Sequence, residues 1–396
     1  MTRRHDLDAL RVIAFGLLIA YHCAMLYVAE WEWHLKSTYL AEWLQWPMLA
    51  MNRWRMALLF LISGLAIGLY QPARKPGRFA LERTGRLFLP LVFGMLVVVP
   101  VQAYCQGVVN GAVEPGYARF LLRYWEFRPW PAGGFDGAEY GITWNHLWYL
   151  AYLWVYTLIL TTLLPVLESG LGRRLQAALA GLRGWQLTLL PALPLVLYLN
   201  VLMPRFEPSN DLIHDWFQHA QYFTVFLYGY ALSRSAGFWD EVVRLRRPLL
   251  WASLAMAALY VPMIKSDIEF NEPALVAMRS LRGLFAWTTL LAILAWGKHA
   301  LNRPFRWLPY ATEAVFPWYL LHQSATVLLA YWLVPLRLGA TAEATLVVVG
   351  TVATCALLHE FVIRRVGLLR PLFGLKRRQP SVGAQPEAVA VVGGRE

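Results

Sequence analysis

Ten runs of mostly apolar residues, separated by short polar stretches, set the pattern of this chain. They lie near residues 9–29, 48–70, 87–106, 144–166, 185–203, 218–235, 249–265, 278–297, 312–335 and 343–363. Each is long enough, at 17 residues or more, to cross a bilayer as a helix. The pattern predicts an all-α, polytopic membrane bundle of about ten transmembrane helices, one domain over residues 1–375. Residues 376–396 are small and polar and read as a disordered tail. Between the first two runs, "EWEWHLKSTYLAEWLQWP" reads as an interfacial helix with tryptophans at headgroup depth. The longest connection, residues 107–144, is rich in Gly, Pro and aromatics and reads as a functional cap.

Composition supports the membrane reading. Hydrophobic residues make up 58% and charged residues only 15%, against about 25% charged in a soluble domain. The net charge of +12 would point to nucleic acid in a soluble protein. Here most of the Lys and Arg fall in alternate connections, which places both termini in the cytoplasm and accounts for the charge without nucleic acid. The basic, apolar opening reads as an uncleaved first helix, because the apolar run passes the position where a signal peptide would be cut. Cys23, Cys105 and Cys355 all lie in or beside apolar runs and imply no disulfide framework.

Ionisable residues inside a span are costly and call for a function. Arg11 and His22 share the first run, and their eleven-residue spacing is about 1100°, close to three turns, and about 16.5 Å along the axis. They therefore share a helix face. Asp8, three residues before Arg11, is placed to pair with it. Arg83 and Arg86 share one face at the entrance to the third span and suit phosphates, although basic residues there also serve as ordinary anchors. Arg53 and Arg55 sit in the outer part of the second span, where that anchoring rule gives them no role. An acyl carboxylate or an internal salt bridge would each account for them. His146 and His322 are further intramembrane histidines, either buried and satisfied or directly active. Three signals are set aside. "HDWFQH" spaces His214 and His219 wrongly for a metal pair, "HEFVI" lacks the second histidine of a zincin, and the GxxxG of "GLAIG" is a packing motif. No metal site is expected.

These residues resemble, in order, the motifs of the acyltransferase-3 family of integral membrane acyltransferases. The first helix has R-x10-H preceded by "LD"; "RMALLFLISG", "RTGRLFLP", "HLWYL", "FPWYLLHQ" and "RPLFGLK" follow. The last elements resemble most the glucans biosynthesis protein C branch. The resemblance implies transfer of an acyl group from cytoplasmic acyl-CoA, succinyl-CoA or acetyl-CoA, to a hydroxyl of an extracytoplasmic glucan or other glycan. It also implies a bacterial inner-membrane location and contact with glucan-synthesis machinery. No cofactor is bound permanently; acyl-CoA is a co-substrate. On this reading His22 is the catalytic base, with Arg11, His146 and His322 as further catalytic candidates. Arg11, Arg83 and Arg86 hold the coenzyme, and Arg55, Trp144 and Asn145 contact substrate or oxyanion. Trp125, Trp130, Tyr140 and Trp144 with Asp136 and Glu139 form either a glucan platform or an interfacial belt. A transporter or flippase that moves a lipid-linked sugar or acyl donor without covalent chemistry is the main rival; it would release no free CoA. A structural partner of a glucan synthase is another.

Overall fold

The computed structural model of the chain describes residues 3–266 and 268–377, and all its regular structure is helical. Residues 378–396, the greater part of the expected tail, lie outside the described residues. The helices are α1 (His5–Met25), α2 (Gln45–Asn52), α3 (Arg55–Tyr70), α4 (Pro76–Phe93), α5 (Pro100–Val109), α6 (Tyr117–Tyr124), α7 (Trp148–Leu167), α8 (Gly170–Ala180), α9 (Trp185–Leu189), α10 (Ala192–Val201), α11 (Trp216–Leu232), α12 (Ala236–Arg244), α13 (Arg246–Lys265), α14 (Glu272–Leu301), α15 (Leu308–Leu333), α16 (Ala340–Leu357) and α17 (Leu369–Leu372).

Among the described residues, seven segments are long and apolar enough to cross a membrane: His5–Met25, Glu42–Tyr70, Pro76–Val109, Asn145–Leu167, Arg246–Lys265, Glu272–Leu301 and Ala340–Ile363. Gly170–Ala180 and Trp185–Val201 form an eighth only if taken together, and they are bent by 115° at their break. The chain is a multi-pass membrane protein. The two other expected spans exist as helices but differ in kind. α11 has only 17 residues, and α15, although 26 residues long, buries His322, Gln323, Ser324 and Thr326. Both pack inside the bundle, where polar side chains find partners that lipid would not give them.

Small residues bring the central helices into backbone contact. A Cβ on Gly64 of α3 would fall 2.0 Å from Phe226 O, and one on Gly229 of α11 would fall 2.3 Å from Leu61 O. The GxxxG of α3 is thus the seam that seats α11. Gly297 does the same for α1, since a Cβ there would meet Leu10 Cδ1 at 2.5 Å. α1 and α15 run side by side in the same direction: Phe15 packs on Tyr319 (5.3 Å between ring centroids), and His22, two turns on from Phe15, lies against His322, one turn on from Tyr319. Arg370 of α17 reaches Glu313 in the first turns of α15 at 3.4 Å, so the two ends of the described chain share one face of the bundle, the terminal face.

Two segments depart from the sequence reading. Residues 26–41 form no interfacial helix; helix resumes only at Glu42. Lys36 Nζ donates to Met25 O at 2.8 Å and also to Val28 O, while Ser37 N and Ala41 N donate to Leu26 O and Tyr27 O. The lysine binds the orphan carbonyls at the end of α1, a favourable place for a cation, and folds the segment back into the bundle. Asp8 does not pair with Arg11. It takes two hydrogen bonds from Arg3, at 3.0 and 2.9 Å, because Arg3 lies before the helix and is free to swing to it.

Candidate active site

Three of the predicted residues meet at one depth. α1 brings His22, α15 brings His322, and the short turn Asn145–Leu147 ahead of α7 brings His146. Ring centroids of His22 and His322 are 5.0 Å apart, and His146 lies 5.1 Å from His322 and 6.5 Å from His22. The turn that delivers His146 is built by Thr143 Oγ1, which donates to Asn145 Oδ1 and accepts from Asn145 N. These bonds hold Asn145 at φ +42°, in the left-handed region that asparagine tolerates. Gly94 opens room beside the turn: a Cβ there would strike Leu147 Cδ1 at 2.4 Å.

The hydrogen bonds fix the tautomers, since a carbonyl oxygen can only accept. His322 Nδ1 donates to Tyr319 O at 2.8 Å and faces Trp318 O at 3.2 Å. Its neutral Nε2 must therefore accept, and it does so from His22 Nδ1 at 2.8 Å. His146 Nε2 donates to Tyr319 O and Leu320 O at 3.1 and 3.2 Å, and its Nδ1 accepts from Gln102 Nε2 at 3.3 Å. Of the six ring nitrogens, His22 Nε2 alone has no protein partner among the described residues. With Nδ1 carrying the proton, Nε2 holds a lone pair.

His22 lines a small cavity of about 40 Å³ together with Leu18, Arg55, Met56, His146, Trp148 and Tyr319. Arg55 is 7% exposed and lies 3.5 Å over the ring of Tyr21, and its Nε and Nη1 have no hydrogen-bond partner. It is the cavity's available donor. Asn145 is not, because its Nδ2 donates to Gln102 Oε1 at 3.0 Å. Trp148 stands on the cavity wall in place of Trp144, which packs at the edge of the main core. A larger open groove of about 370 Å³ between α8, α11 and Ser235 has Arg183 as its only charged lining residue and lies away from the histidines.

Sequence reasoning missed the polar layer behind the histidines. Gln102 Nε2 also donates to Ser324 Oγ at 2.7 Å, and Gln323 Nε2 donates to Gln102 Oε1 at 3.0 Å and to His34 Nε2 at 2.8 Å. His34 Nδ1 then donates to Gln106 Oε1 at 2.8 Å, and Gln106 Nε2 to Asp136 Oδ1 at 2.9 Å. The layer ends at the face opposite the terminal one, on a carboxylate whose side chain is 61% exposed. The signal was present: glutamines within apolar runs are as costly as histidines. Trp130, offered as part of a glucan platform, is 7% exposed and belongs to a core of the cap with Phe120, Tyr124 and Phe135. Trp125 and Tyr140 are exposed.

Arg11, Arg83 and Arg86 gather toward the terminal face. Arg83 stands close enough to both that their charges act on it. Among the described residues none of the three forms an ion pair with a carboxylate. Phe15, Tyr149 and Tyr319, edge to face at 5.3 to 6.5 Å, separate this cluster from the histidines. The residues set aside have separate duties. His214 pairs with Asp211 at 2.5 Å, His219 bonds Tyr156 Oη and Leu212 O, and Glu360 pairs with Arg364 at 2.7 Å.

A multi-pass bundle with an oriented imidazole deep inside, and unpaired arginines near one face, has the parts of a membrane group-transfer enzyme. Comparison with known families identifies which. Residues 4–360 match the acyltransferase-3 family, described as an acyltransferase domain, and the chain belongs to that family of membrane acyltransferases. No curated protein and no solved structure matches it.

Proposed function

We propose that the protein is a membrane O-acyltransferase taking its acyl group from cytoplasmic acyl-CoA and placing it on a hydroxyl of an extracytoplasmic glycan. On this reading the terminal face is cytoplasmic, and all ten expected runs are embedded. Succinyl stands ahead of acetyl as the acyl group, and a glucan, as in the glucans biosynthesis protein C branch, ahead of other acceptors. The observation that carries the reading is the free Nε2 of His22, set by two successive hydrogen bonds, in a residue that lines a cavity with Arg55, whose Nε and Nη1 have no hydrogen-bond partner.

The chemistry follows from that geometry. The acceptor oxygen attacks the thioester carbonyl carbon while His22 Nε2 takes its proton. Negative charge grows on the carbonyl oxygen, and Arg55 supplies N–H donors for it in a site shielded from water. The C–S bond then breaks, the imidazolium returns its proton to the sulfur, and CoA leaves with a free thiol. Arg11, Arg83 and Arg86 suit the coenzyme's phosphates, and the ~16.5 Å between Arg11 and His22 suits an extended pantetheine arm.

The test uses the full chain in nanodiscs, wild type and His22→Ala, with succinyl-CoA or acetyl-CoA and a periplasmic glucan. Free thiol and glucan ester are followed together. Ester formation by wild type, falling about a hundredfold or more in the variant, is expected. Undiminished turnover in His22→Ala removes the imidazole from the mechanism. Glycan movement without thiol release supports the flippase reading instead.

A further inference from the structure

A second group of arginines lies in the half of the bundle away from the terminal face. Arg53 precedes α3, Arg55 opens it, and Arg279 and Arg282 lie in the early turns of α14. Arg282 is ten residues past the start of α14, about 15 Å along its axis. Arg53 lies over the ring of Tyr260 at 5.5 Å, and Tyr260 packs 6.2 Å from Phe285, one turn beyond Arg282 on α14, while Arg55, two residues after Arg53, lines the His22 cavity. The charges of all three, together with that of Asp215, reach Tyr222. Tyr222 stacks on Phe60 at 4.9 Å and lies 5.9 Å from Trp148, a wall of the His22 cavity. The group is therefore a neighbour of the candidate active site.

Its charges are uncompensated. Among the described residues no carboxylate lies within ion-pair distance of any of the four, and Nε of Arg53, Arg55 and Arg279 has no partner. Arg282 Nη1 meets only the sulfur of Met203, at 3.2 Å, with the ring of Phe217 5.9 Å from its guanidinium; the ring of Tyr260 is 5.5 Å from that of Arg53. Asp215, the fully buried carboxylate nearby, accepts at Oδ2 from Tyr152 Oη and Asn210 N, both at 2.9 Å, and from Gln218, while its Oδ1 has no partner among the described residues. Arg55 is buried and Arg53, Arg279 and Arg282 are half-buried. An unpaired charge withdrawn from water is costly, and guanidinium forks bind planar oxyanions with two parallel hydrogen bonds.

We propose that Arg53 and Arg282, beside Arg55, form a subsite for a carboxylate or phosphate carried by one of the two substrates. The subsite holds the far end of that substrate while its reacting atom lies at His22. Assignment to a substrate rests on the acyltransferase reading; the existence of the anion site does not, and the first measurement needs no turnover.

The full chain in nanodiscs is titrated with sodium succinate, inorganic phosphate or sodium chloride at matched ionic strength, and its thermal midpoint recorded. Wild type is expected to be stabilised by one of the two oxyanions beyond chloride. Half-saturation is expected to rise at least tenfold in Arg53→Gln/Arg282→Gln, and less in Arg53→Lys/Arg282→Lys, which keeps the charge and loses the fork. A response to succinate alone assigns the subsite to a carboxylate on the acyl chain. It then predicts that the Gln pair loses turnover with succinyl-CoA but not with acetyl-CoA. A response to phosphate alone assigns it to a phosphorylated acceptor. If neither oxyanion exceeds chloride in wild type, or if the shift persists in the Gln pair, the proposal is overturned.

Discussion

Replacing His322 by alanine separates the proposed base, His22, from the group that aims it. In the folded protein His322 is fully buried, its Nδ1–H fixed on Tyr319 O and its Nε2 on His22 Nδ1 at 2.8 Å. Alanine leaves the His22 Nδ1 donor without an acceptor, which costs about 1–3 kcal/mol for a buried polar group. The same change removes what selects the His22 tautomer. An imidazole protonated on Nε2 presents a donor to the acceptor hydroxyl and no base. At about 1.4 kcal/mol per tenfold, the expected loss in kcat is about 5- to 150-fold, reaching only the lower end of the 10²- to 10⁴-fold typical of losing a general base. Glutamine at 322 places an amide oxygen near the former Nε2 and restores an acceptor. The expected order is wild type, His322→Gln, His322→Ala, then His22→Ala, with KM for acyl-CoA unchanged throughout. Continuous thiol release by nanodisc-embedded protein measures it, with tryptophan fluorescence as the folding control. The reasoning fails if His322→Ala is as inactive as His22→Ala and glutamine rescues nothing, since His322 would then be the base. A rise in KM with kcat preserved would refute it equally.

Other consequences are open to direct measurement. Arg83→Gln/Arg86→Gln is expected to raise KM for acyl-CoA with little change in kcat, and to weaken the dependence of KM on salt, read from initial rates at two ionic strengths. Gly64→Val forces a side chain onto Phe226 O and is expected to destabilise the bundle by about 1–3 kcal/mol or more, read as a lower thermal midpoint, whereas Gly16→Ala, with open space around it, is not. Glu241, in the connecting helix α12, accepts from Arg244 at 2.6 and 2.8 Å and from Gly184 N at 2.7 Å; chiefly through Arg244 its pKa is held down to about 2. A carboxylate with a lowered folded-state pKa stabilises above its unfolded value and loses that contribution as pH falls. Glu241→Gln is therefore expected to lower the midpoint at pH 7 and to flatten its decline between pH 4.5 and 2.

The bundle and two members of the site were legible from apolar runs and from the cost of charge within them. Arg11 and His22 were visible because a single helix fixes their spacing, and spacing within one helix is readable from sequence. What joins helices is not. His322 and His146 stood out only as isolated histidines. Their order, one aiming His22 and the other fixed by two carbonyls and Gln102, depends on contacts between α1, α15 and the turn before α7. His34 was hidden more completely, because its tryptophan-rich surroundings satisfy an interfacial pattern, and only the grip of Lys36 on the end of α1 turns the segment inward. Arg3 displaced the local Asp8–Arg11 pairing for a related reason: a flexible residue before a helix competes with one fixed on it.

The hydrogen bond between His22 and His322 joins residues 300 positions apart. At typical elongation rates of about 5–20 residues per second, α1 waits about 15–60 s in the bilayer before its partner is made. Until then His22 has no partner to set its proton, and the lone pair offered to the substrate is undefined. Catalytic competence is thus a property of the finished chain. On the proposed function, a fragment ending before α15, however well inserted, carries the base without the group that aims it.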